Sequence, residues 1–176
     1  MPWVVGIGKI KNMKESAQKL IKQLSSGDQF KRLMAAGKLA LLDEKAVPAL
    51  IKKLGTPGGD KRKWIIRVHA AIALSWIGYK VIPFLAKALA RDRDWHVRAG
   101  AAEVFGMLRR KETIPYLMEA LDDKHFKVRK YSAFALRRID SREKLIVRKL
   151  KSLVVNDQNK EVKDEVAETL RLWKVR

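Results

Sequence analysis

The chain has no cysteine, which removes disulfide frameworks, thiolate metal sites and cysteine nucleophiles together. Histidine is almost as scarce. His69, His96 and His125 are the three present; none is followed by glutamate and they stand at different places in the repeat described below, so no metal site is expected. Neither a G-x-S-x-G nucleophile turn nor a G-x-x-x-x-G-K-[ST] phosphate loop occurs, so serine hydrolysis and nucleotide hydrolysis are not indicated, and no cofactor is expected. The opening run MPWVVGIGKIK lacks the charge order and cleavage residues of a signal peptide and is far too short to cross a bilayer, so a cytoplasmic protein with no membrane span is expected. Residues 1–12 read as an uncleaved extension. Trp3, Val4, Val5 and Ile7 then either cap the open core of the first repeat or rest on a membrane surface.

Acidic residues are also in short supply: 19 Asp and Glu face 39 Lys and Arg, a formal charge of +20 with pI near 10.4. Such an excess bears on partners rather than on fold. It fits an anionic ligand, and with few Asn and Gln it also fits heat adaptation and a thermostable protein.

What is abundant is self-similarity. IRVHAAIALSWI (66–77), VRAGAAEVFGML (97–108) and VRKYSAFALRRI (128–139) superpose without a gap, and their basic residues Arg67, Arg98 and Arg129 are spaced 31 and 31 apart. Weaker copies carry Arg32 and Lys163 at the same place. Four residues after each basic position stand Ala36, Ala71, Ala102, Ala133 and Ala167; seven after stand Leu39, Leu74, Phe105, Leu136 and Leu170; ten after stand Leu42, Ile77, Leu108, Ile139 and Trp173. Steps of four, three and three hold one helical face, and a small residue repeated at one place lets neighbouring helices approach. A preceding helix is marked by VPALIKKL, IPFLAKAL and IPYLMEAL, with Pro48, Pro83 and Pro115 near its start, where a missing N–H costs least. Five helix pairs follow, at about 13–43, 44–78, 79–109, 110–140 and 141–174.

These columns, with the D-x-x-x-x-x-R pattern of Asp92 and Arg98, Asp123 and Arg129, and Asp157 and Lys163, resemble the HEAT-repeat family, in particular its short-repeat phycobilin lyase-like and archaeal branch. The resemblance covers nearly the whole chain and implies an all-α, right-handed α-solenoid in one domain. It also implies that Arg67, Arg98 and Arg129 form a structural ladder with aspartates of adjacent repeats. On function it is nearly silent.

Two surfaces are candidates for binding. Three residues before the ladder arginines stand Trp64, Trp95 and Phe126, amid Lys61, Arg62 and Lys63, then Arg91 and Arg93, then Lys124, Lys127 and Lys130. Cations interleaved with aromatics along one edge suit phosphate neutralisation and base stacking; packing of the rings against the preceding helix is the other reading. The glycine-rich stretch from Gly55 to Lys63 is longer than its counterparts and adds a loop on that edge. The second surface is the concave row of the second helices, with His69, Ile72, Trp76 and Tyr79, then Tyr131, Phe134, Arg137 and Arg138, apolar enough to hold a protein partner or to pack helix on helix. Glu103 is the one outward-facing acid among the hydrophobic columns, and the only residue to consider for a glycosylase-like activity. The expectation is a non-enzymatic scaffold whose basic surface binds RNA, DNA or another polyanion. The alternative is an adaptor that grips an acidic or helical protein in the groove, and a lyase-like or DNA glycosylase-like enzyme comes a distant third.

Overall fold

The computed structural model describes residues 13–56 and 61–175. Among them ten α-helices follow one another in pairs: α1 (Met13–Gln23) with α2 (Gln29–Leu41), α3 (Val47–Leu54) with α4 (Lys61–Ile77), α5 (Ile82–Arg91) with α6 (Trp95–Leu108), α7 (Ile114–Ala120) with α8 (Phe126–Ile139), and α9 (Lys144–Asn156) with α10 (Lys160–Leu172). The second helices α2, α4, α6, α8 and α10 pack successively along one another, whereas consecutive first helices touch sparsely. That asymmetry curves the stack with the second helices inside, the architecture of an α-solenoid.

The columns explain the packing. Ala36, Ala71, Ala102 and Ala133 are buried, as are Leu39, Leu74, Phe105 and Leu136, and they join one continuous core. Ala167, their counterpart in α10, is exposed, because the column faces the following second helix and none follows among the described residues. Two helical glycines mark close approaches within the stack. A Cβ at Gly106 would stand 3.0 Å from the Ala135 backbone, and one at Gly100 2.9 Å from Leu54, so α6 is pressed against α8 and against α3. Pro48, Pro83 and Pro115 occupy the first turns of α3, α5 and α7.

The ends of the second helices share devices that the sequence shows only faintly. Asp28, Asp94, His125 and Asn159 are N-caps whose side chains accept backbone N–H bonds; each lies four residues before its basic position. α4 departs from this scheme by starting at Lys61, so Lys61, Arg62 and Lys63 form a helical first turn rather than the end of a loop. At the other end, Asp43, Gly78, Arg109, Asp140 and Lys174 all have positive φ. Each lies eleven residues after its basic position, and a left-handed residue there turns the chain into the next pair. Only one is glycine. By length and composition alone the stretch Lys61–Arg91 could cross a membrane, but at Gly78, with φ of 85°, it divides into helices of 17 and 10 residues that pack into the stack.

Candidate functional site

The expected ladder forms in the second half of the molecule. Arg98 donates to both carboxylate oxygens of Asp123 at 2.7 and 2.9 Å, and through Nη1 to the Asp92 carbonyl at 2.9 Å. Arg129 does the same with Asp157 at 2.7 and 2.8 Å and with the Asp123 carbonyl at 2.9 Å. These bidentate, charge-assisted bonds bind each turn to the next. Burial acts to raise the Asp123 carboxyl, but the Arg98 bonds and the His125 amide outweigh it and hold it below the usual range; the Arg129 bonds lower Asp157. Lys163 instead donates to the Val155 carbonyl at 2.9 Å. Arg67 departs from the ladder: its Nε is buried and without a hydrogen-bond partner, and its charge acts on Glu103 rather than on an aspartate rung.

The basic edge keeps only part of its aromatic character. Trp95 stacks on His96 at 3.6 Å and on His125 at 3.9 Å between ring centroids. Two imidazoles so close to one indole centroid cannot lie side by side, so they cover its two faces and leave none for a base. His125 continues the stack to Phe126 at 5.1 Å, and burial, with Arg98 nearby, lowers the His125 pKa. Trp95 and Phe126 thus take part in ring stacking between successive turns. Lys130 is held by Glu161 at 2.9 Å, and Lys127 lies over Phe126 at 5.6 Å. What remains open is Trp64, 52% exposed, beside exposed Lys61, Arg62 and Lys63, with exposed Arg91, Arg93 and Lys124 further along.

On the inner surface, the positions two before and one, five and nine after each basic residue recur at helical spacing. In α2 they are Phe30, Leu33, Gly37 and Leu41; in α4, Ile65, Val68, Ile72 and Trp76, followed by Tyr79. None of these is charged. Phe30 is 70% exposed, Leu41 85%, Trp76 52% and Tyr79 63%, and Trp76 leans over α2, its ring 3.7 Å from where a Cβ of Gly37 would stand. In α6 the positions hold His96, Ala99, Glu103 and Met107. In α8 and α10 they hold Lys127, Lys130, Phe134 and Arg138, then Glu161, Asp164, Glu168 and Leu172. Several charges there and beside them are paired: Lys130 with Glu161, Arg137 with Glu165 at 3.0 Å, and Arg171 with Glu168 at 2.6 Å. Phe134 lies under Arg137 and Arg138, 5.0 and 5.8 Å from its ring centroid.

Of the residues expected in the groove, Trp76 and Tyr79 are exposed on its open part, and Ile72 is partly buried against the core. His69 is not in the groove: it is buried, with Nδ1 2.8 Å from the Ile65 carbonyl oxygen, because it sits one residue off the exposed row. Tyr131 packs against the core, and Phe134, Arg137 and Arg138 are engaged as described. Phe30, Leu33 and Leu41 were missed, although counting the same offsets from Arg32 finds them. Expectations for residues 1–12 lie outside the described residues, as does the stretch 57–60 of the long loop. Among the described residues, no three His, Asp or Glu groups converge as a metal site.

Stacked helix pairs whose second helices line one inner face define a helical-repeat protein. Models of HEAT repeats match residues 17–104 and 82–171, and the chain belongs to the HEAT-repeat family. No curated protein matches its sequence. In fold it is similar to the structure of the complex of CpcE and CpcF of phycocyanin lyase from Nostoc sp. PCC7120, with 19% identity, 88% of this chain and 98% of that chain covered, and a TM-score of 0.61.

Proposed function

We propose that the chain is a non-enzymatic interaction scaffold that holds an amphipathic segment of a protein partner on the inner faces of α2 and α4. One observation carries this reading: eight successive inner positions there bear no charge in a protein of net charge +20, while the inner face of α8 and α10 is closed by its own ion pairs. An exposed apolar row on such a chain is a surface kept for contact. A second copy is disfavoured as occupant because two equally cationic chains repel. The occupant that matches is a segment with an apolar stripe and acidic flanks, its acids reaching Lys61, Arg62 and Lys63 at the start of α4. That the similar structure is described as a complex of two chains supports a protein partner. The test is co-purification of tagged protein with and without nuclease, alongside the Leu41→Ser/Trp76→Ser variant. A stoichiometric, nuclease-resistant protein retained by wild type and lost by a folded variant is expected; equal retention by both overturns the reading.

Exposed Trp64 within its basic cluster favours a second reading, binding of single-stranded RNA or DNA along the turn edge. One stacked base on Trp64 contributes about 1–3 kcal/mol, and contact with about six phosphates weakens binding on the order of a thousandfold between 50 and 200 mM salt. A labelled oligonucleotide titrated at those two salt concentrations decides: no binding, or none of the salt effect, removes this reading.

A further inference from the structure

The caps of the second helices differ in one respect that repeat geometry does not require. Asp28, Asp94 and Asn159 cap α2, α6 and α10 with a side-chain oxygen. At the same place α8 has His125, whose Nδ1 accepts the Lys127 N–H at 3.3 Å. An imidazole nitrogen accepts only while it carries no proton, so this bond selects the neutral ring with its hydrogen on Nε2. The oxygen caps keep accepting through the neutral and mildly acid range, whereas the ordinary histidine value of about 6.5 falls within it. The ring is half-buried and held in place, stacked on Trp95 at 3.9 Å with the planes 8° apart and followed by Phe126 at 5.1 Å. The charges that act on it are Arg98 and His96 from α6, Lys127 from its own helix and Asp123 from the turn before it. Only Asp123 favours a proton on the ring, and both oxygens of that carboxylate are already taken by Arg98, one of them also by the His125 backbone N–H at 2.8 Å. Across the indole, His96 has its own carboxylate, Nδ1 lying 2.8 Å from Asp94.

We infer that His125 is a pH-sensitive fastener of the fourth helix pair: below neutral pH its Nδ1 takes a proton, the cap bond to Lys127 is lost, and the first turn of α8 is released while the Arg98–Asp123 rung beside it stays closed. The ring itself stays, because an imidazolium still stacks on an indole face, so the change is confined to the start of the helix. Burial and the Arg98 charge lower the His125 pKa; the cap is therefore complete above the ordinary histidine value and is lost as pH falls through the lowered one. The consequence reaches the inner surface, where Lys127 is the first inner position of α8 and Lys130, one turn on, is bonded to Glu161. It holds whatever the groove takes.

The test compares wild type with His125→Asn, which restores the oxygen cap that Asn159 supplies in α10, by thermal melting at pH 7.5 and pH 5. Wild type is expected to lose about 2–4 °C relative to the variant between the two, the shift that one helix cap carries in a chain of this size. Loss of the stacked ring offsets the variant equally at both pH values, His69 and His96 titrate in both proteins, and the rung carboxylates remain ionised at pH 5, so the change in the difference belongs to the cap. Nitrogen-15 spectra of the imidazoles are expected to show Nδ1 of His125 unprotonated at pH 7.5 and the ring titrating below the ordinary histidine value. A melting difference that does not change with pH overturns the inference, as does an Nδ1 that already carries the proton at pH 7.5.

Discussion

The inner surface shows two ways of finishing a helical repeat. In α8 and α10 most groove positions are charged, ion pairs such as Lys130–Glu161 and Arg171–Glu168 engage several of them, and the turns beneath are locked by the Arg98–Asp123 and Arg129–Asp157 rungs. In α2 and α4 the same positions are apolar, with Phe30, Leu33, Leu41 and Trp76 exposed, and Arg67 makes no rung among the described residues. One repeat geometry thus serves stability at one end and contact at the other, and the difference lies in side chains at a few fixed offsets rather than in the backbone.

Removing a rung should separate the halves most strongly. Asp157→Ala leaves the Arg129 guanidinium without its carboxylate, and a loss of about 3–5 kcal/mol is expected from urea unfolding, the usual cost of orphaning one member of a buried pair. Arg67→Gln breaks no rung among the described residues and leaves no bonded carboxylate orphaned, so a smaller loss is expected. Equal losses would erase the distinction.

A tight seam and a loose one give the next contrast. Gly106→Ala drives a Cβ to 3.0 Å from the Ala135 backbone and is expected to destabilise by about 1–3 kcal/mol. Gly37→Ala meets only the Trp76 ring at 3.7 Å, an ordinary contact, and helix propensity should make it neutral or stabilising by up to about 1 kcal/mol. Thermal melts of the two variants measure this directly.

Acid should reveal opposite signs within one molecule. Asp123 and Asp157 have lowered pKa values, so their contribution is complete above the ordinary aspartate value of about 4 and is lost as pH falls through the depressed values. Glu103 is raised: its contribution is present below the ordinary glutamate value and lost as pH rises through the raised one. Glu103→Gln is therefore expected to melt higher than wild type at pH 7 and together with it at pH 3. A lower melting point at pH 7 would show the charges of Arg67 and Arg138 outweighing the burial that opposes the carboxylate.

The smallest effect tests a feature common to both halves. Arg109 has φ of 51°, a conformation costing a residue with a Cβ about 1–2 kcal/mol. Arg109→Gly should relieve part of it and stabilise by about 0.5 kcal/mol after glycine's larger unfolded-state entropy is counted.

The helix pairs were legible because small and large apolar residues recur at fixed offsets from Arg67, Arg98 and Arg129, and burial of such columns has few other solutions. The left-handed turn residue was not. Asp43, Arg109, Asp140 and Lys174 lack the glycine that marks such a conformation, and only their common offset betrays it. The site was half legible. Trp76 and Tyr79 announce an exposed apolar face by type and spacing, but His69 was misplaced by one residue, about a hundred degrees of helix. Nothing local tells Trp64, which is exposed, from Trp95, which His125 covers from a repeat away: that contact depends on two turns meeting across the stack.

The absent rung beside Arg67 has a mechanical corollary. Where successive turns are pinned by paired guanidinium and carboxylate, bending must stretch short, strong bonds. Between the second and third pairs no such rung forms among the described residues, and beyond side-chain packing the exposed Lys80–Asp43 pair reaches across, so that joint yields more readily than the pinned turns at the far end.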